Sequence, residues 1–230
     1  MVIFIVLMSI VLVVTATIVT VSTISSRRRR DELQELAQHH DWQWSKREDM
    51  VLNTCPSGPP LSGDPRRSKA FNVIKGRHRD RYFAAFEYMY TTIHDGGHGT
   101  RSKTHRYAVW TIRLPAPLPR MAVGFHGASG DFLGQAFGLR RMNIGDDEFN
   151  RRFTVRCDDQ RSGARLFHPE MVDLLMSTGA WAWRIDGNVM LSYTEGPLDA
   201  ADVVLRLELM NRVLDNVPAE VWEQHGRSPA

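Results

Sequence analysis

The residue types that chemistry uses occur in a few short groups. Cys157-Asp158-Asp159 places a thiol beside two carboxylates, and His126 or His168 could supply the base that a thiol nucleophile needs. Cys157 falls in phase with Phe153 and Val155 on an alternating run, however, which reads as a buried structural thiol. His168 stands before Pro169, the pattern of a helix start. His94-Asp95-Gly96-Gly97-His98, with His105 further on, holds several metal-ligand types, but a glycine-rich loop does not fix ligands as a zinc site requires. Gly127-Ala128-Ser129-Gly130 lacks the G-x-S-x-G spacing of a nucleophile elbow. Phosphate-binding glycine motifs and H-E-x-x-H are absent from the sequence, so no catalytic residue, metal site or cofactor is assigned.

Charge gives a sharper exclusion. The chain carries 29 Lys and Arg, 26 Asp and Glu, and a pI of about 9.1. Four of the basic residues are consecutive, Arg27, Arg28, Arg29 and Arg30, and nothing charged precedes them. Residues 31–230 therefore hold 25 basic and 26 acidic side chains, a net of −1. The basic pI belongs to that run, and a nucleic-acid partner is not expected.

The run follows an uncharged, proline-free stretch, Val2 to Ile24. As a helix it would extend about 35 Å, enough for a bilayer core. The arginines on its C-terminal side predict a reverse signal-anchor with the following domain cytoplasmic, and they would meet anionic head groups at the membrane surface. Seven basic residues against one acid between Arg66 and Arg81 make Arg77, Arg79 and Arg81 further candidates for anionic-lipid contact. Two cysteines, Cys55 and Cys157, make no disulfide framework.

These residues need elements to hold them. Asp31 to His40 predicts a short amphipathic helix with Leu33, Leu36 and Ala37 on one face. CPSGPPLSGDP, residues 55–65, reads as a linker or wrapping loop. Period-two runs predict strands at 70–75, 82–92, 106–114, 121–125 and 153–157. A polar connection is expected over 93–104, and PAPLP is expected to break a strand at 115–119. Asp186-Gly187 between two apolar runs predicts a hairpin joining strands 181–185 and 189–193. Helices are expected over 131–138, from His168 to Gly179, and from Asp199 to Val217, where Pro218 stops the last. The fold class is α+β: an N-terminal transmembrane helix, a mainly antiparallel sheet of about seven strands with short helices, and a long C-terminal helix. The expected divisions are 1–26 anchor, 27–65 juxtamembrane helix and linker, 66–220 soluble domain and 221–230 tail.

FNRRFTVRCDD (149–159), LFHPEMVDLLM (166–176), WRIDGNVMLSY (183–193) and FNVIKGRHRDRYFAAFEYMYT (71–91) occur in an order that resembles an uncharacterised family of bacterial, mainly actinobacterial, single-pass membrane proteins. The resemblance spans roughly residues 69–217 and implies an anchored α+β domain without an assigned activity. The expected function is a cytoplasmic-face binding or scaffolding module at the cell membrane. Its expected partners are the lipid bilayer and either anionic lipid head groups or another membrane protein. The alternatives are an exported or membrane-bound enzyme using Cys157 with His126 or His168, and an exported protein cleaved near Ser25 with a Cys55–Cys157 bridge.

Overall fold

The computed structural model describes residues 25–64, 66–96, 99–125, 138–179 and 181–226. The expected span over Val2–Ile24, His126, the 127–130 loop and nearly all of the expected 131–138 helix lie outside the described residues. Among the described residues no helix is long and apolar enough to cross a membrane.

A helix, α1 (25–39), already includes Arg27 to Arg30 and buries Leu33 and Ala37. Strand β1 (Gln43–Arg47) follows, then a 3-10 turn over Asp49–Thr54. Next come β2 (Lys69–His78), β3 (Arg81–Gly96) and β4 (Gly99–Phe125). After β5 (Arg140–Met142) the chain alternates α2 (Asp147–Arg152), β6 (Phe153–Cys157), α3 (Gln160–Leu166) and α4 (Pro169–Ser177). It finishes with β7 (Trp183–Glu195), α5 (Ala200–Asp215) and α6 (Ala219–Gly226). The result is a seven-stranded sheet of order β1-β2-β3-β4-β6-β5, with β7 also on β4 and every pairing antiparallel.

The α+β expectation holds with seven strands, but four of the predicted strands pair up into two. Runs 106–114 and 121–125 are one strand, because β4 continues through its prolines. Its pairing with β3 ends at Ile112 and its pairing with β6 begins at Met121. Pro115, Pro117 and Pro119 fall in the intervening stretch, where their missing N–H groups cost no bond to either strand. The polar 93–104 connection is also mostly strand, paired down to Gly96↔Gly99.

The Asp186-Gly187 hairpin is corrected. Both flanking runs belong to β7 and both pair with β4. Gly187 has φ +59° and sits in a bulge opposite Leu118. Between Met190 and Ile185 the core-facing set of β7 changes from even to odd positions, and between Leu118 and Met121 β4 makes the same change. A glycine at positive φ serves a bulge as well as a turn, and the local sequence does not distinguish them. The two strands that complete the count, β1 and β5, carried too few alternating apolar residues to be predicted.

The sheet has two unequal faces. One carries Ile74, Phe83, Ala85, Trp110, Ile112 and Trp183 and is covered by helices in a continuous core. Helix α5 packs on it through Val203, Leu207, Met210 and Leu214, while Leu205 is 59% exposed. Asp199 starts this helix by accepting from the Ala201 N–H. Trp42 joins the same core against Phe83 and donates to the Arg77 carbonyl at 3.0 Å. The second face carries Val73, Phe86, Tyr88, Val109 and Leu191, and among the described residues it is covered by the 3-10 turn, the following loop and Leu139. Residues 27–64 thus form an edge strand, part of the main core and this partial cover.

Candidate functional site

The cover over the second face is fastened at several points. Tyr88 Oη accepts from the Gly63 N–H at 3.0 Å and lies 2.9 Å from Ser68 Oγ. Arg184, 2% exposed on β7, donates to the Pro56 carbonyl at 2.8 Å and lies 3.5 Å from Asp186. Burial lowers its pKa to about 10, so this guanidinium stays charged beneath the loop. Asp49 accepts from the Ala70 N–H at 2.9 Å and pins the 3-10 turn to β2.

The cover stops short of the sheet's lower end and leaves a groove of about 610 Å³. Cross-strand register sets its floor. Lys75, Ala84 and Thr111 stand in one row across β2, β3 and β4. Arg77 and Tyr82 pair in the next row, and Arg113 pairs with Val189 on the other side. Met50, Val51 and Thr54 of the 3-10 turn form the wall. Met50 and Tyr82 are 75% and 60% exposed at the rim.

The polar groups in the groove are unequally engaged. Lys75 Nζ is held by Glu48 at 2.5 Å. Thr111 donates to the Ala84 carbonyl at 3.3 Å and Thr54 to the Val51 carbonyl at 2.7 Å. Arg113 is exposed, and among the described residues it has no carboxylate within ion-pair distance. Arg77 packs over the Tyr82 ring at 4.7 Å and donates to the Asp80 carbonyl. The site offers an apolar floor with cationic groups at one end.

The predicted basic residues are distributed differently from a flat basic edge. Arg79 reaches Glu208 at 3.4 Å and Asp215 at 3.1 Å, and Arg81 reaches Asp215 at 2.7 Å and Asn211 at 2.8 Å. His78 meets Glu208 at 2.7 Å. These contacts dock the β2–β3 turn on α5, and of the three predicted arginines only Arg77 is not matched with a carboxylate among the described residues. Arg28 pairs with Glu32 one turn later on α1, and Arg27 is exposed beside it.

The candidate nucleophile is disarmed by its surroundings. Cys157 is 0% exposed, its thiol lies 3.2 Å from the Asp159 carbonyl, and burial raises its pKa to about 11. Asp159 caps α3, accepting from the Arg161 and Ser162 N–H groups. His168 lies between Glu170 at 2.7 Å and the Asn216 carbonyl at 2.9 Å, so it joins α4 to the end of α5. Both cysteines are free thiols, and the Cys55–Cys157 bridge is not formed. Among the described residues no three His, Cys, Asp or Glu side chains converge for a metal.

The sequence reading missed Arg113 and Met50. The alternation Val109-Thr111-Arg113 was a signal for the arginine, since it shares the second face with them. Met50 had none, because only the docked 3-10 turn brings it to the groove.

No protein-family model matches the sequence, and no curated protein matches it. The fold is similar to the crystal structure of the mycobacterial trehalose monomycolate transport factor A, TtfA. The TM-score is 0.55 at 16% identity, covering 83% of this chain and 95% of that one. The likeness establishes a shared α+β architecture.

Proposed function

We propose that this chain is a non-catalytic, membrane-anchored binding or scaffolding module that assists a membrane-associated transport process from the cytoplasmic face. The observation that carries the reading is the fold shared with a transport factor over 95% of that solved chain. The Val2–Ile24 stretch and the arginines behind it support the anchor and its orientation. The buried, high-pKa Cys157 supports a binding role over the thiol enzyme.

Fractionation and labelling test the placement. The full chain should remain with membranes after alkaline carbonate washing. An Arg101→Cys variant, with a thiol on the exposed part of β4, should resist an impermeant maleimide in intact cells and react once the membrane is opened. Recovery in the soluble fraction, or labelling of intact cells, would overturn it. For the transport role, deleting the chain should change the lipids exported beyond the inner membrane, and unchanged export would remove that part.

A further inference from the structure

We propose that the groove on the second sheet face binds a single-tailed anionic amphiphile, with its tail along the floor and its carboxylate or phosphate against Arg113. This deepens the membrane-associated reading above by giving the module a ligand class. The volume of about 610 Å³ lies within the usual range for small-molecule sites. Ala84, Val51 and Val189 offer hydrocarbon, and the two threonine hydroxyls in the groove already donate to backbone carbonyls. A polar ligand such as a nucleotide would lose its hydration there and find few partners in return.

Charge selects the head group. Lys75 is matched with Glu48, and Arg79 and Arg81 are matched with Glu208 and Asp215. Arg113 keeps a guanidinium facing solvent where the apolar floor ends, and its planar donor fork suits a carboxylate or phosphate. Two of the four exposed large hydrophobic side chains among the described residues, Met50 and Tyr82, flank this groove. An aliphatic tail lying between them would cover both.

The test uses the full chain in nanodiscs of zwitterionic lipid, photolysed with a diazirine-bearing dodecanoate and mapped by peptide mass spectrometry. Label is expected on the peptides that carry Met50–Thr54 and Val189, with competition by laurate and dodecyl phosphate. Arg113→Gln should reduce this labelling on the order of tenfold, as loss of a charged hydrogen bond does. Met50→Glu, at a rim position where folding is undisturbed, should do the same, and Arg101→Gln should have no effect. The proposal is overturned if label is confined to the N-terminal apolar stretch or spread evenly over the surface. It is equally overturned if Arg113→Gln labels normally, if inorganic phosphate competes, or if dodecanol competes as well as laurate. The nanodisc offers lipid to the domain in either cellular orientation, so a failed topology leaves the groove result standing. A failed groove likewise leaves the topology untouched.

Discussion

Glu87 is a carboxylate on the fully covered face of the sheet, 1% exposed, and its removal should be among the costliest single changes in the domain. Its Oε2 accepts from Arg106 Nε at 3.0 Å and from the Nη2 of the same guanidinium, while Oε1 accepts from the Leu198 N–H at 3.2 Å. Leu198 is 0% exposed, so Glu87→Ala leaves that N–H buried and unpaired, at about 1–3 kcal/mol. Breaking a buried ion pair from one side costs about 3–5 kcal/mol when the remaining charge is trapped. The Arg106 side chain is 35% exposed and can turn toward water, which places the total near the lower end, about 3 kcal/mol. Glu87→Gln keeps an oxygen for Leu198 and loses only the charge, so about half that loss is expected. Urea unfolding of the domain from residue 25 onward, followed by tryptophan fluorescence, reads both variants. At about 2–4 °C per kcal/mol for a domain of this size, Glu87→Ala should lower Tm by about 6–12 °C. A loss below about 1 kcal/mol for Glu87→Ala would refute the reasoning, since it would mean that Leu198 and Arg106 find other partners freely.

Other changes test separate parts of the structure. Gly76→Ala would put a methyl 2.3 Å from Trp42 Cδ1, so a loss of about 1–3 kcal/mol is expected in the same assay. Asp80 sits at φ +61° in the two-residue β2–β3 turn, and Asp80→Gly should gain about 0.5–1 kcal/mol by relieving the left-handed strain. Arg206 lies 5.4 Å from the centres of both Trp110 and Trp181, and Arg206→Ala should cost about 1–2 kcal/mol and alter the emission of those buried indoles. The His168 pKa is raised by the Asn216 carbonyl and then by Glu170. Its contribution is therefore complete below the unfolded value, about 6.5, and fades as pH rises through the higher folded value. Unfolding midpoints measured from pH 5.5 to 8 should decline less in His168→Gln than in the native chain. Cys157 should resist alkylation until the domain is denatured, as a buried thiol with a pKa of about 11 requires.

Where a residue's role depended on short-range pattern, the sequence was a good guide. The alternation in Tyr82–Tyr90 placed Ala84, Phe86 and Tyr88 on one face and Phe83, Ala85 and Glu87 on the other, as the two cores confirm. The α5 stripe and its Asp199 start were equally legible, since the helical period and the cap are local properties. The burial of Cys157 followed from its phase with Phe153 and Val155.

Tertiary structure decided what local chemistry leaves open. A glycine at positive φ fits a hairpin or a bulge, and only the pairing of both halves of β7 with β4 made Gly187 a bulge. Prolines end a strand where N–H groups are needed, and only the gap between the β3 and β6 pairings let β4 run through them. Seven basic residues near the first hairpin looked alike in sequence. Contacts with Glu208 and Asp215, more than a hundred residues away, determined that Arg79 and Arg81 join elements together. The groove arises in the same way, because the cover formed by residues 48–64 ends before the rows of Ala84 and Arg113. Periodicity and capping are written within a few residues of one another, whereas charge pairing and uncovered surface depend on segments that meet only after folding.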